Sequence, residues 1–417
     1  MKFRKEGRRE LPDKSYLHTI MPTYLLIAGT RPEVIKLAPV ASALRQKGAT
    51  AEFCAIGQHG DLLDRTFADF GEIPLYTPIH FRPGRSPDSL LAEMLEHLPP
   101  LFRTLSPDGI LVQGDTTTAL GGALAAFYGG LALRGGTKSD ATSAVARSAP
   151  DSAVARSATV IAGALRAPAI IHIEAGLRTY AYTPCPEEGH RRMIAPLADL
   201  HLAPTQQDAD ALYRERVPGR IAVTGNSGLD GLRMILSRPA PPLPVVSGRI
   251  VLCTLHRREN GEAMPALLAA LRKIVQSVPD VTVLYPAHPS PALLKASGES
   301  ITLPRLQILP PLPYPVCAHL LPRLTLLLTD SGGLQEEAAY LGVPTLVLRQ
   351  QSERGEAPSL KIIGTNPEKM ASEAIHLLTN EGERAKLCQK SNRYGDGYAA
   401  RRMAEEILRF NNGGRRG

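Results

Sequence analysis

The 417-residue sequence predicts an α/β protein built from two parallel sheets, each with helices on both faces. Three observations carry this. Short apolar runs of strand length alternate with longer segments of helical period. The alternation comes as two series, separated near the four prolines of Pro239–Pro244, which read as a loop. The apolar runs also end in glycine and charged residues, and open α/β sheets bind ligands beyond the carboxyl ends of their strands.

The elements follow in order. Tyr24–Ala28 is a continuous apolar run, as expected of a strand buried on both faces. Glu33–Lys47 is helical, with Pro32 suited to the first helical position. Ala51–Ile56 is a strand, Leu90–Thr104 a helix, Gly109–Gln113 a strand, Thr117–Phe127 a helix and Ala169–Glu174 a strand. The second series starts after Asn226: strand Ile250–Thr254, helix Met264–Val278, strand Thr282–Pro286, strand Leu324–Thr329, helix Leu334–Leu341 and strand Thr345–Leu348. One segment does not fit. Ser143–Ala149 (SAVARSA) recurs at 152–158, and such a duplication of small residues reads as an expanded, mobile surface loop without chemistry. A lid or an oligomer contact is the alternative.

Composition narrows the function. The 43% hydrophobic and 21% charged fractions are those of a globular protein, and no apolar run is long enough to span a bilayer. Residues 1–20 are basic without an apolar centre, so they are not a secretory signal; they are a disordered arm, or sequence upstream of a start at Met21. The net charge of +8 suits an anionic small substrate and nucleic acid equally. Aromatics are 5% and no aromatic–basic stripe occurs, which argues against nucleic acid. The five cysteines lack paired spacing, as expected in a reducing, cytoplasmic compartment, and speak against a zinc site or disulfide framework. Activity is expected to survive EDTA.

The most informative stretch is Thr329-Asp330-Ser331-Gly332-Gly333-Leu334-Gln335-Glu336-Glu337-Ala338. A buried strand leads through a Ser-Gly-Gly turn into a helix. Two glycines let backbone approach an anion, the helix N-terminus offers free N–H groups, and Ser331 adds a hydroxyl. Glu337, one turn in, could accept from a ribose hydroxyl. An ordinary strand-to-helix turn is the plainer reading of this segment alone. Other strand ends add to it. The first carries Gly29-Thr30-Arg31-Pro32-Glu33 with Lys36 one turn on, so that Arg31 and Lys36 could both face an anion. Gly114-Asp115-Thr116-Thr117-Thr118 follows the third, although Asp115 alone could simply cap a helix. His172–Arg178 (HIEAGLR) includes Glu174 and Arg178, and a loop with Pro186-Glu187-Glu188-Gly189-His190-Arg191-Arg192 comes next. The second series contributes His256–Asn260 (HRREN) and Tyr285-Pro286-Ala287-His288. Each cluster alone reads as solvated loop. Their coincidence at the carboxyl ends of two sheets implies a cleft for an anionic, nucleotide-bearing ligand.

In this order the motifs resemble the UDP-N-acetylglucosamine 2-epimerase family, of the non-hydrolysing type. The matching pieces are Gly29–Lys36 (GTRPEVIK), Gln58-His59, Gly114–Thr118 (GDTTT), Glu174–Thr179 (EAGLRT), Pro186–Glu188, Thr224–Asn226 (TGN), His256–Asn260, Tyr285–His288, Thr329–Ala338, Glu353-Arg354 and Tyr394–Gly397 (YGDG). The resemblance runs from about Met21 to about Arg409. It implies a glycosyltransferase-B-like fold: a basic arm (1–20), a Rossmann-like domain (21–226, with an insertion at about 130–160), a UDP-binding Rossmann-like domain (227–390), and a C-terminal helix and tail (391–417) that pack back on the first domain. It implies interconversion of UDP-GlcNAc and UDP-ManNAc by elimination of UDP to 2-acetamidoglucal and re-addition, with no redox cofactor and no metal. Asp115, Glu174, Glu187 and His256 match the family's catalytic groups. Arg31, Lys36, Arg178, His288, Ser331, Gly332, Gly333, Glu337 and Arg354 are the implied substrate and UDP contacts. Gln58 and His59 match part of a second UDP-GlcNAc site that activates many bacterial members. A homodimer and a role in cell-surface polysaccharide precursors are also implied. The chain departs from the family pattern at His190, where asparagine is usual, and at Leu312 and Cys317, near the expected uracil. The nearest rivals are an epimerase of another UDP-2-acetamido sugar and a glycosyltransferase of the same fold.

Overall fold

The computed structural model describes residues 21–57, 60–80, 82–134, 167–181, 185–255, 264–286, 305–349 and 357–413. The expectations for the N-terminal arm, the SAVARSA repeat, Gln58, His59, His256, His288 and Arg354 lie outside these residues.

Seven strands form the first sheet: β1 (Thr23–Ala28), β2 (Thr50–Ile56), β3 (Tyr76–Ile79), β4 (Gly109–Gln113), β5 (Ala169–Ile173), β6 (Leu200–Ala203) and β7 (Arg220–Val223). Their order is β3-β2-β1-β4-β5-β6-β7, and every pairing is parallel. Six strands form the second sheet: β8 (Arg249–Thr254), β9 (Val281–Pro286), β10 (Leu306–Leu309), β11 (Leu324–Thr329), β12 (Thr345–Val347) and β13 (Leu360–Ile362). Their order is β10-β9-β8-β11-β12-β13, again all parallel. Both sheets therefore reverse strand order at one point, between β1 and β4 and between β8 and β11. Such a switch point opens the crevice that receives a ligand in doubly wound folds. The strands β4, β5, β6, β9 and β12 are buried along their whole length, which is why they read as unbroken apolar runs.

One apolar cluster joins the two halves. It contains Leu26, Leu37 and Leu44 from the first half, Leu252, Leu327 and Ala338 from the second, and Met403 and Ile407 from the C-terminal helix Ala399–Asn412. That last helix is held at its start by Asp230, whose two carboxylate oxygens accept from the amides of Ala399 (3.0 Å) and Ala400 (3.1 Å). Burial pushes the Asp230 carboxyl up to about 6 despite those amides. The YGDG motif forms the approach to this helix. Gly395 (φ 126°) packs against Gly225 (φ 91°), and Asp396 forms a fork-to-fork pair with Arg402 (2.7 and 3.0 Å).

The strands and helices read from the sequence form at the expected places, with two differences near the site. The loop expected around Pro186–Arg192 is instead the helix Glu187–Ile194. Its exposed face is charged, so no apolar period announces it; Ile194 and the buried His190 and Arg191 provide the inner face. The strand expected to end at Glu174 ends at Ile173, because Glu174 turns into the left-handed region (φ 63°). Among the described residues, no helix is long and apolar enough to cross a membrane.

Candidate active site

The first wall of the site is made by the loops after β1, β4 and β5. Arg31 opens the helix Arg31–Gln46 and donates from Nη1 to the carbonyl of Leu312, across the cleft (3.2 Å). Lys36, on the same helix, is buried and pairs with Glu174. Gln113, the last residue of β4, donates to the same Glu174 oxygen. Thus a predicted anion contact and a predicted catalytic carboxylate meet directly. The left-handed backbone at Glu174, sparsely populated by non-glycine residues, is what aims its carboxylate at them.

Asp115 is held on two sides. Its Oδ2 accepts from Arg191 Nε and Nη2, both at 2.7 Å. Its carbonyl accepts from His190 Nδ1 at 2.7 Å, which makes Nδ1 the protonated nitrogen. The preceding carbonyl, of Gly114, accepts from His172 Nε2 at 2.8 Å. His172 is buried beneath the loop, and burial lowers its pKa to about 4, so it stays neutral. Arg191 also donates to Glu188 at 3.2 Å. Glu188 in turn accepts from the amides of Thr179 (3.0 Å) and Tyr180 (3.3 Å), in the EAGLRT segment. Burial works against the Glu188 charge, but the Thr179 amide and Arg191 outweigh it and hold the carboxyl below its ordinary value. Glu187 opens the helix Glu187–Ile194, and its Oε2 is buried without a hydrogen-bond partner.

The second wall is the end of β11. Thr329 Oγ1 accepts from the amide of Ser331 (3.0 Å) and is hydrogen-bonded to Thr254 Oγ1 (2.7 Å), fixing the turn. Ser331 is the N-cap of the helix Gly332–Leu341, so the amides of Gly332 and Gly333 have no intrahelical acceptor. A Cβ at Gly333 would meet no protein atom within 4 Å, so packing does not demand a glycine there. Glu337 sits one turn further in. Its Oε1 accepts from the Tyr314 hydroxyl at 2.8 Å, while Oε2 is buried and unpartnered. Burial raises the Glu337 carboxyl to about 7; Tyr314, Arg31 and Lys36 pull it down, and Glu336 pushes it further up. Arg31 and Lys36 act on Glu337 because the two walls face each other. Near the join, Glu336 accepts from Asn226 of the TGN motif, whose amide donates to the Tyr394 carbonyl (2.9 Å).

The structure thus gathers Asp115, Glu174, Glu187, Arg31 and Lys36 on one wall and Ser331, Gly332, Gly333 and Glu337 on the other. Arg178 is committed elsewhere. Its guanidinium forks onto Glu215 (2.8 Å twice), it also donates to the Leu177 carbonyl (2.9 Å), and its side chain is 1% exposed. Arg191, His190, Gln113 and Tyr314 also belong to these walls, and the sequence does not mark them as contacts. Arg191 and Glu188 share an i, i+3 spacing, which becomes a signal only once the segment is known to be a helix. Tyr314 carries no local signal. Among the described residues, no three histidines, cysteines or acidic residues gather as a metal-holding group.

Two parallel sheets with a phosphate-type turn facing a wall of carboxylates define a glycosyltransferase-B-like protein. A family model described as UDP-N-acetylglucosamine 2-epimerase matches residues 42–134 and 152–408. The Bacillus subtilis (strain 168) UDP-N-acetylglucosamine 2-epimerase is 36% identical over 399 residues, covering 92% of this chain and 94% of the relative. Among solved structures, the UDP-GlcNAc 2-epimerase of Neisseria meningitidis, bound to UDP-GlcNAc, superposes with a TM-score of 0.77 at 29% identity, covering 93% of this chain and 100% of that one. Staphylococcus aureus MnaA in its UDP co-structure gives 0.78 at 30% identity, covering 94% and 97%. The chain belongs to the UDP-N-acetylglucosamine 2-epimerase family, a family of isomerases.

Proposed function

We propose that this protein interconverts UDP-GlcNAc and UDP-ManNAc without releasing free sugar. The observation that best supports this reading is the pair of buried carboxylate oxygens without a hydrogen-bond partner: Glu187 Oε2, on the helix whose Arg191 holds Asp115, and Glu337 Oε2, on the second wall. A buried, unpaired acceptor is costly, by about 1–3 kcal/mol each, and is retained where a ligand supplies the missing donor. Glu337 suits a ribose hydroxyl; Glu187 suits the sugar.

The C2 proton of the sugar is not acidic on its own. The C1–O bond to UDP therefore breaks as the C2 proton leaves, giving 2-acetamidoglucal, UDP and a protonated base. A proton then returns to the other face of C2, and a diphosphate oxygen re-forms the bond to C1. Arg31, with the Ser331-Gly332-Gly333 turn, holds the diphosphate as its charge grows, and Lys36 helps. Asp115, Glu174 and Glu187 supply the acid and base groups on the two faces. His256 serves the leaving group or the diphosphate, and His288 and Arg354 join the UDP contacts. A second UDP-GlcNAc acts as activator, with Gln58 and His59 among its contacts; sigmoidal initial rates are expected, and a plain hyperbola counts against it. The working form is a cytoplasmic homodimer feeding cell-surface polysaccharide synthesis.

Ion-pair chromatography of a reaction with UDP-GlcNAc tests the proposal. It expects UDP-ManNAc to appear, with free ManNAc absent. Accumulation of free ManNAc with stoichiometric UDP would indicate hydrolysis instead, and an unchanged substrate would direct attention to other UDP-2-acetamido sugars.

A further inference from the structure

Glu33 is a wholly buried carboxylate that the proposed chemistry does not use. Its Oε2 accepts from the amides of Gly29 (2.8 Å) and Thr30 (2.7 Å), in the turn that carries Arg31. Its Oε1 accepts from Thr116 Oγ1 at 2.5 Å, in the turn that carries Asp115. The Thr116 hydroxyl also accepts from the amide of Ala119 (3.0 Å), so its proton is directed at Glu33. The ladder between β1 and β4 runs from Tyr24–Gly109 to Leu26–Leu111 and stops short of both turns. Beyond it, the Glu33–Thr116 bond ties one turn to the other.

A buried carboxylate is costly unless charge-assisted donors compensate it. A helix cap alone would need only the two local amides. The third bond, 83 positions away in sequence, does nothing for the cap. It sets the distance between the turn with the diphosphate cation and the turn with the acid/base group. We propose that Glu33 is a positioning residue that keeps Arg31 and Asp115 in register across one substrate. The inference rests on the reading of the site given above. In the elimination, Arg31 serves the departing oxygen on C1 while Asp115 serves C2, so a change in their spacing slows chemistry without loosening UDP.

Glu33→Gln is the direct variant, but its amide would face two N–H donors or reverse the Thr116 hydroxyl, so it tests folding together with positioning. Thr116→Val and Thr116→Ser both keep Glu33; the valine removes the bridge together with the acceptor of the Ala119 amide, whereas the serine retains both. For Thr116→Val the proposal expects kcat for UDP-GlcNAc to fall about 10–100-fold, as for a reacting group displaced by a fraction of an ångström to an ångström. Kd for UDP by calorimetry should stay within about twofold, since the bridge does not touch the diphosphate contacts, and Thr116→Ser should recover most of the lost kcat. Unchanged kcat in Thr116→Val overturns the proposal. So does a parallel loss of kcat, UDP affinity and thermal midpoint, which marks a merely structural role. Turnover by the unaltered protein reports separately on the reading of the site. If that protein does not turn over, the crystal structures of both forms still decide: the Arg31–Asp115 Cα spacing should change in Thr116→Val, and identical spacing overturns the proposal.

Discussion

Burial sets the Glu337 carboxyl at about 7, and that has a consequence for UDP binding. Oε1 is occupied by the Tyr314 hydroxyl, so a ribose hydroxyl has only Oε2 to donate to. That bond needs the ionised form. Below pH 7 the free protein holds a proton that binding must expel, so affinity falls as pH falls. For one coupled proton the loss approaches tenfold per pH unit, so Kd for UDP should weaken about 100-fold between pH 8 and pH 5, or ~2.7 kcal/mol. The UDP phosphate also titrates in this range, with a second pKa of about 6. The Glu337→Gln variant separates the two, because it retains the phosphate titration and lacks the carboxyl. Calorimetry in buffers of different ionisation enthalpy should find close to one proton released by the unaltered protein near pH 6, beyond that released with Glu337→Gln. Superimposable pH profiles for the two proteins would refute the reasoning.

Other substitutions bear on separate parts of the account. Asp115→Asn and Glu187→Gln should each lower kcat by about 10²–10⁴ while leaving Kd for UDP near its original value, as measured by progress curves and calorimetry. Arg31→Ala removes the charge-assisted diphosphate contact proposed for that side chain and should weaken UDP binding by about 1.5–3 kcal/mol. Asp230→Ala deprives the C-terminal helix of both its amide acceptors, at a cost of about 1–2 kcal/mol. Differential scanning fluorimetry should register a midpoint lower by a few degrees. An unchanged midpoint would mean that the cap does not limit stability.

Much of this molecule is legible in the sequence because its strands are buried on both faces. Runs such as Gly109–Gln113 and Leu324–Thr329 appear with their observed bounds, since they hold no charged residue and are mostly apolar. The short edge strands Tyr76–Ile79 and Leu360–Ile362 are partly exposed and carry no such run. Residues that meet the ligand side of the site, such as Arg31, Asp115 and Ser331, stand out because they fall at strand ends. Residues that hold them do not. Arg191 reaches Asp115 from 76 positions away, and Tyr314 reaches Glu337 from another helix. Those pairings depend on how the chain crosses between layers, which spacing along the chain does not encode.

In the proposed reaction, carboxylates on one wall move the C2 proton of a UDP-2-acetamido sugar whose diphosphate is held between the walls. Proton NMR with UDP-GlcNAc in D₂O tests it most directly. The account expects UDP-ManNAc to appear with deuterium at C2 of both epimers. Epimerisation with C2 protium fully retained would contradict the exchange of that proton with solvent, and an intact, undeuterated substrate would contradict the assignment of the sugar.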